Sequence, residues 1–231
     1  EAYSYVYYAT FLAGVYDFLK VKKDDVVLDA GAFIGDFTVK IAKRAKEVIA
    51  VEPLPWAFEI LKRNVEINNL KNVVLINKAL YSVDGVKVKL KDEGVGSSIS
   101  GEGEFEVETV TVDSLGRFSI VKMDIEGAEE ELIRDDSSWL SYVRAMAIEV
   151  HGEKNLANVP KVLVKKGFTV REMSRTDLIK NALRNILPHP LDFLRAEIKT
   201  KYLLNMGKII FKAYILGQRE AKIIYALRKS Y

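Results

Sequence analysis

The stretch VVLDAGAFIGDFT, residues 26 to 38, decides the fold. Val26, Val27 and Leu28 form an unbroken apolar run, the pattern of a strand covered on both faces. A carboxylate, Asp29, closes the run. Gly31 then makes a tight turn, and Gly35 lets a helix begin close to the strand. Such a turn aims helix N-terminal N–H groups into the crevice above the carboxyl ends of a parallel sheet, where open α/β sheets bind ligands.

Outward from this turn, short strand-like runs alternate with amphipathic stretches. EVIAVE (47 to 52), NVVLINKAL (72 to 80), SIVKMDI (119 to 125) and RAMAIEV (144 to 150) read as further parallel strands. Between them DFTVKIAKRA, WAFEILKRNVEINN, AEEELIRDDSSWL and NLANVPKVLVKKG carry apolar residues at helical spacing. The expected class is α/β: a doubly wound, mainly parallel seven-stranded sheet with right-handed crossovers in a single domain, residues 1–231. Three segments depart from the alternation. Residues 1–23 are rich in aromatics and predict a helix against the sheet or over the mouth of a pocket. Residues 84–112 contain two period-two runs and predict a β-hairpin inserted before strand 4, with a polar glycine-rich tip. After FTVREMS (168 to 174) the next strand pattern is AKIIYALR (221 to 228), so residues 175–218 predict a helical insertion within the last β-hairpin.

The ligand follows from the turn's details. A dinucleotide fingerprint needs a second glycine two residues after the first, where backbone meets pyrophosphate, and that position is Phe33. No Gly-Lys-Ser/Thr follows, which excludes a phosphate-cradling P-loop. Glu52 ends the second strand about 20 residues past the turn, the place of a carboxylate that accepts hydrogen bonds from two ribose hydroxyls. An acid beside the turn, no provision for pyrophosphate and an acid for ribose suit S-adenosylmethionine, an amino-acid zwitterion joined to a nucleoside. The expected cofactor site is Asp29, Gly31, Ala32, Phe33, Gly35, Glu52, Pro53, Ala79 and Asp124.

The fourth strand stops in a burst of carboxylates, VKMDIEGAEEEL (121 to 132). Asp124 falls at its carboxyl end, beside the first strand, and is expected at the rim of the site, with Glu126 just beyond. Glu129, Glu130 and Glu131 occupy the first turn of the next helix, where negative charge is favourable. Lys122 alternates with apolar neighbours and is expected to pair with a nearby carboxylate.

VVLDAGAFIGDFT, IAVEPLPWAFEILKRNVEINN, NKALYSVDG, TVDSL, VKMDIEGAEEEL and AIEVHG occur in the order and spacing of the FkbM-type methyltransferases, which residues 24 to 174 resemble. The Lys-x-Asp-x-Glu-Gly-Ala-Glu signature at 122 to 129, which includes Glu129, is the distinctive part. The resemblance implies a class I, Rossmann-like methyltransferase that uses S-adenosylmethionine and methylates a hydroxyl oxygen of a sugar, lipid-linked glycan or other small molecule. Methyl transfer to oxygen requires the hydroxyl in line with the methyl and a group to take or disperse its proton. Asp124 and Glu126 are candidates for that group. So is His151, which ends the fifth strand and has a reference pKa near neutrality. Ser97 and Ser98, at the hairpin tip, are candidate substrate contacts. A divalent cation on the clustered carboxylates is a further reading, but the spacing is not diagnostic and no metal is assigned.

Composition sets outer bounds. The chain has no cysteine, which removes disulfides, thiolate metal sites and cysteine nucleophiles, and only two histidines, His151 and His189. No apolar run approaches the roughly 18 residues of a membrane span and no leader pattern opens the chain, so a soluble, cytoplasmic protein is expected, with membrane-peripheral attachment as the variant. Residues 171 to 231 carry 13 Lys or Arg against 5 Asp or Glu, leaving 22 against 27 elsewhere. That basic quarter opens two alternatives: an RNA methyltransferase whose C-terminal helices hold phosphates, or a non-catalytic assembly protein that pairs as a homo-oligomer through residues 175–218. Asp-Ile-Glu-Gly stands where methylation of base amines typically uses Asn-Pro-Pro-aromatic, which favours the hydroxyl acceptor.

Overall fold

A computed structural model describes residues 6–92, 97–99, 103–188 and 221–228. Alternation of apolar runs with helical spacing yields β1 (Val26–Ala30), α1 (Asp36–Ala42), β2 (Glu47–Val51), α2 (Pro55–Ile67) and β3 (Val73–Ile76). The next elements are β4 (Ala79–Leu80), β5 (Lys87–Asp92), β6 (Ser97–Ile99) and β7 (Phe105–Val110). Then come α3 (Val112–Leu115), β8 (Ile120–Met123), α4 (Glu129–Leu132) and β9 (Ala145–His151). α5 (Glu153–Lys165), β10 (Phe168–Glu172), α6 (Arg175–Ile186) and β11 (Ala221–Arg228) complete the described chain.

Seven strands form one sheet in the order β10-β11-β9-β8-β1-β2-β3, parallel except where β11 runs antiparallel between β9 and β10. This is the doubly wound, mainly parallel α/β sheet expected from the sequence. Both faces are covered, which is why the central strands are mostly apolar. Leu28, Val121, Met123, Ile148 and Val150 enter one core, against Trp139, Val159 and Leu163. Val27, Val48, Ala50 and Ile120 enter the other, against Phe37, Ile41, Leu178 and Tyr225. β1 lies between β2 and β8, so the turn after β1 opens beside the ends of both. Among the described residues no helix is long and apolar enough to cross a membrane.

Three local expectations differ from the structure. Residues 6–23 are not one helix: a π turn, Tyr8–Leu12, and a 3-10 turn, Asp17–Leu19, are separated at Gly14. Gly14 has φ +59, outside the right-handed helical range, so the helix ends there. The run 72 to 80 is two strands. Asn77 interrupts it by donating to the carbonyls of Glu52 and Pro53, and β4 leaves for a second sheet. The hairpin expected over residues 84–112 is present as the antiparallel pair β5 and β7, and β4 and β6 extend it to a second sheet ordered β4-β7-β5-β6. Finally, the helix expected across AEEELIRDDSSWL is the single turn α4. The Ser137 hydroxyl donates to Leu132 O and accepts from Arg134 N–H, closing the chain where a helix would have continued. Of the expected helical insertion, α6 is present, capped by a Ser174–Asp177 capping box, and the remainder from residue 189 lies outside the described residues.

Candidate active site

The turn after β1 is held from beneath. The N–H groups of Gly31 and Ala32 both donate to Val51 O, at 3.0 and 2.9 Å. Gly31 has φ +73, and a Cβ on it would stand 1.8 Å from Asp124 O, so only glycine lets the ends of β1 and β8 approach this closely. Phe33 takes the left-handed conformation, φ +49, which turns its N–H onto Glu52 Oε2 at 2.8 Å. Leu54 N–H donates to the other oxygen at 2.9 Å. Glu52 is thereby fixed in the pocket wall. Burial pushes its pKa up to about 7, against the pull of these two N–H donors and of Lys122.

The pocket above this turn is lined by Gly31, Phe33, Glu52, Pro53 and Ala79 on the β1 to β4 side and by Lys122, Asp124 and Glu126 on the β8 side. Val6 and Tyr16 reach it from the N-terminal segment, which packs on the sheet through Ala9, Val15 and Leu19. Four of the expected residues stand behind the lining instead. Ala32 spends its N–H on Val51. Gly35, with φ +85, packs against Leu61 as the cap of α1. Asp29 is wholly buried: Oδ2 accepts from the Thr38 hydroxyl at 2.6 Å, and Oδ1 faces Lys122 Nζ at 3.4 Å. His151 stands behind Asp124 and Glu126. Ser97 and Ser98 lie on β6, paired with Asp92 and Lys91 of β5.

Lys122 pairs with a carboxylate as its alternating neighbours suggested. Nζ donates to Gly31 O at 2.6 Å. Burial opposes its charge, but Asp29, Asp124, Asp36 and Glu149 outweigh burial and hold its pKa above the ordinary lysine value. Asp36 was not singled out in the sequence, and Glu129 was set apart from its neighbours only by the family signature. Asp36, the first residue of α1, lines the pocket and accepts from the Thr10 hydroxyl. Burial raises its pKa to about 6. Its signal was its place directly after Gly35. Glu129, grouped in sequence with two helix-start acids, is fully buried against His151, whereas Glu130 turns outward to Lys154.

At the rim, Glu126 has φ +53 and Gly127 φ +105, a reversal that brings Glu126 Oε2 to 3.2 Å from His151 Nε2. Asp124 Oδ1 lies 3.8 Å from the same nitrogen. One such atom from each of Asp124, Glu126 and His151 falls within 4.8 Å of the others. Burial disfavours charge on His151, but the Glu129 hydrogen bond and the charges of Asp124, Glu126 and Glu149 prevail and push its pKa up to about 9. The ring of carboxylates thus favours the imidazolium, the form that has no lone pair with which to take a proton. Asp124 Oδ1 is shielded from solvent and has no hydrogen-bond partner among the described residues.

Comparison with known proteins agrees with the fold. Residues 29–170 match the family model "Methyltransferase FkbM domain". Methyltransferase 1 of Beauveria bassiana (strain ARSEF 2860) is 25% identical over 202 residues, which cover 72% of this chain and 81% of that protein. The hexuronic acid methyltransferase AglP of Haloferax volcanii is 26% identical over 154 residues, covering 62% of this chain and 63% of its own length. The crystal structure of methyltransferase FkbM from Methylobacillus flagellatus KT superposes with a TM-score of 0.56 at 17% identity, over 77% of this chain and 48% of that one. Several RNA methyltransferases also match, each over 36% of this chain or less.

Proposed function

This chain belongs to the FkbM methyltransferase family, with S-adenosylmethionine as cofactor, and from that premise we propose that it methylates a hydroxyl oxygen of a sugar, lipid-linked glycan or other small molecule. The residues present fit the cofactor. A wall carboxylate fixed by two backbone N–H groups, Glu52, suits a ribose diol. The glycine turn and the acidic β8 end leave room and complementary charge for the amino-acid end. Gly31, Phe33, Glu52, Pro53 and Ala79 would hold it. When bound, it supplies an electrophilic methyl group on a sulfonium.

The observation that carries the hydroxyl reading is the place of Asp124 at the end of β8, where its partly exposed side chain lines the pocket and its carboxylate can be reached by an acceptor hydroxyl. A hydroxyl becomes a good nucleophile only as its proton leaves, and a carboxylate within hydrogen-bond reach takes that proton as the oxygen–carbon bond forms. Glu126 is engaged by His151, which leaves Asp124 as the acceptor of the proton and Glu126 as its partner in passing it to solvent. The imidazolium of His151 offsets the charge of both. That the Haloferax volcanii relative is named for a hexuronic acid supports a sugar as the acceptor molecule.

The test is transfer of radiolabelled methyl from S-adenosylmethionine into a host-like lysate separated into RNA, protein, glycan or lipid, and small-molecule fractions. Label in the glycan, lipid or small-molecule fraction, lost with Asp124→Ala, is the expected result. Label in RNA would overturn the acceptor assignment, and no label despite tight cofactor binding would overturn the activity.

A further inference from the structure

Glu129 presents an anomaly that the transfer reaction itself does not use. A carboxylate with no solvent exposure is costly unless its oxygens are hydrogen-bonded, and a one-turn helix such as α4 does not need it. Its partners are specific. Oε1 accepts from Gly127 N–H at 3.1 Å and lies 3.0 Å from His151 Nδ1. Oε2 accepts from Asn155 Nδ2 at 2.6 Å. Asn155, buried on α5 and one helical turn past His151, also donates to Gly127 O and His151 O, each at 2.9 Å. Three elements are therefore tied at one carboxylate: the loop that carries Glu126, the end of β9, and α5.

A carboxylate facing Nδ1 requires hydrogen on that nitrogen, so the tie selects both the ring plane and the identity of the nitrogen on the other side. That nitrogen, Nε2, points at Glu126 Oε2 (3.2 Å), Asp124 Oδ1 (3.8 Å) and Glu149 Oε1 (4.0 Å). Building on the methyl transfer argued above, we propose that Glu129 is a positioning residue: with Asn155 it holds His151 so that Nε2–H meets the rim carboxylates that receive the acceptor's proton. Glu129 touches neither cofactor nor acceptor and acts only through the imidazole.

The ring nitrogens of His151 can be read by long-range proton–nitrogen correlation in the full chain, with His189→Gln to assign the only other histidine. The expected signature is hydrogen on Nδ1 in a strong hydrogen bond, and an imidazolium that persists well above neutral pH. In Glu129→Gln the ring should lose its proton about one pH unit lower or more. Methyl transfer into the acceptor fraction should fall roughly tenfold or more, its pH profile moving with the ring, while calorimetric S-adenosylmethionine affinity holds. Glu129→Asp, which keeps the charge, should restore part of both and serves as the readout if the Gln variant misfolds. An Nδ1 without hydrogen in the unaltered protein, or a folded Glu129→Gln with unchanged ring titration and transfer rate, would overturn the proposal. So would loss of cofactor affinity in step with transfer, which marks a structural role. Absence of transfer by the unaltered chain would instead remove the hydroxyl methyltransferase reading, and the ring signature would still decide the positioning.

Discussion

Alanine at Gly31 and alanine at Gly35 make a matched pair of perturbations, because both glycines have positive φ but meet different neighbours. The left-handed backbone alone costs an L-residue about 1–2 kcal/mol at either site. At Gly35 the new methyl meets Leu61 Cδ1 at 2.5 Å, the free end of a side chain that can shift rotamer for about 0.5–1.5 kcal/mol. At Gly31 it meets the backbone carbonyl of Asp124 at 1.8 Å, and that oxygen must retreat beyond 3.0 Å. Such overpacking adds about 1–3 kcal/mol, and the movement also strains the Gly31 N–H bond to Val51 O and the Lys122 bond to Gly31 O, each worth about 1 kcal/mol. Gly31→Ala should therefore lose about 3–5 kcal/mol against about 2–3 for Gly35→Ala. Urea denaturation measures both losses. Because the atom displaced belongs to Asp124, methyl transfer by the folded fraction should fall further in Gly31→Ala than in Gly35→Ala. Equal stability losses, or full transfer by folded Gly31→Ala, would refute the claim that this glycine sets the approach of β1 to the rim.

Three further outcomes follow from the charges. Glu52 has a pKa of about 7 and must be ionised to accept two hydroxyl donors, so S-adenosylmethionine affinity should rise as pH passes through about 7. In Glu52→Gln calorimetry should show weaker binding without that rise, and a pH-dependent affinity surviving the substitution would exclude Glu52 as its source. Lys122→Met leaves buried Asp29 facing no cation and should cost about 3–5 kcal/mol, with Lys122→Met/Asp29→Asn recovering part of it; a double variant no more stable than the single would contradict the pairing. The folded pKa of His151, about 9, lies above the unfolded value of about 6.5, so its stabilising contribution is complete below pH 6.5 and disappears as pH rises through 9. Denaturation at pH 6 and pH 10 should show a difference about 2–3 kcal/mol larger in the unaltered chain than in His151→Gln, and identical differences would show that the imidazolium is not stabilised by folding.

Elements whose pattern is set by burial on both faces were legible in the sequence, and those terminated by a single side chain were not. β1, β2 and β11 appear where VVLDA, EVIAV and AKIIYALR place them, because a parallel or central strand has to be apolar and short. Nothing in the periodicity of AEEELIRDDSSWL reveals that Ser137 will close the chain onto Leu132, or that Asn77 will break a nine-residue run in two. The same division runs through the site. Glu52 and Asp124 were readable because a strand end in a doubly wound sheet has a known place. Glu129 was set apart only by the family signature, and its burial, against the exposure of Glu131 and the outward turn of Glu130, comes from the turn of α4. The preference of His151 for the imidazolium form depends on four carboxylates drawn from three different segments, which no local reading collects.

The charges that close β8 become intelligible once strand alternation is applied across neighbouring strands. Val121 and Met123 on β8, and Ile148 and Val150 on β9, share one face and enter the apolar core. The intervening positions, Lys122 then Asp124 and Glu149 then His151, therefore project from the other face. Register sets Lys122 beside Asp29 of β1 and opposite Ala147 of β9, whose small side chain leaves space above it. Two cations on adjacent strands thus face a shared group of acids: Asp29, Asp36, Asp124 and Glu149 around Lys122, and Asp124, Glu126, Glu129 and Glu149 around His151. Asp124 and Glu149 belong to both groups, so a change of charge at one cation alters the field at the other. Asp124, the proposed proton acceptor, is accordingly coupled, through Lys122, to the glycine turn that shapes the pocket. The acids that look misplaced along the chain form, in the sheet, the connection between that turn and the rim.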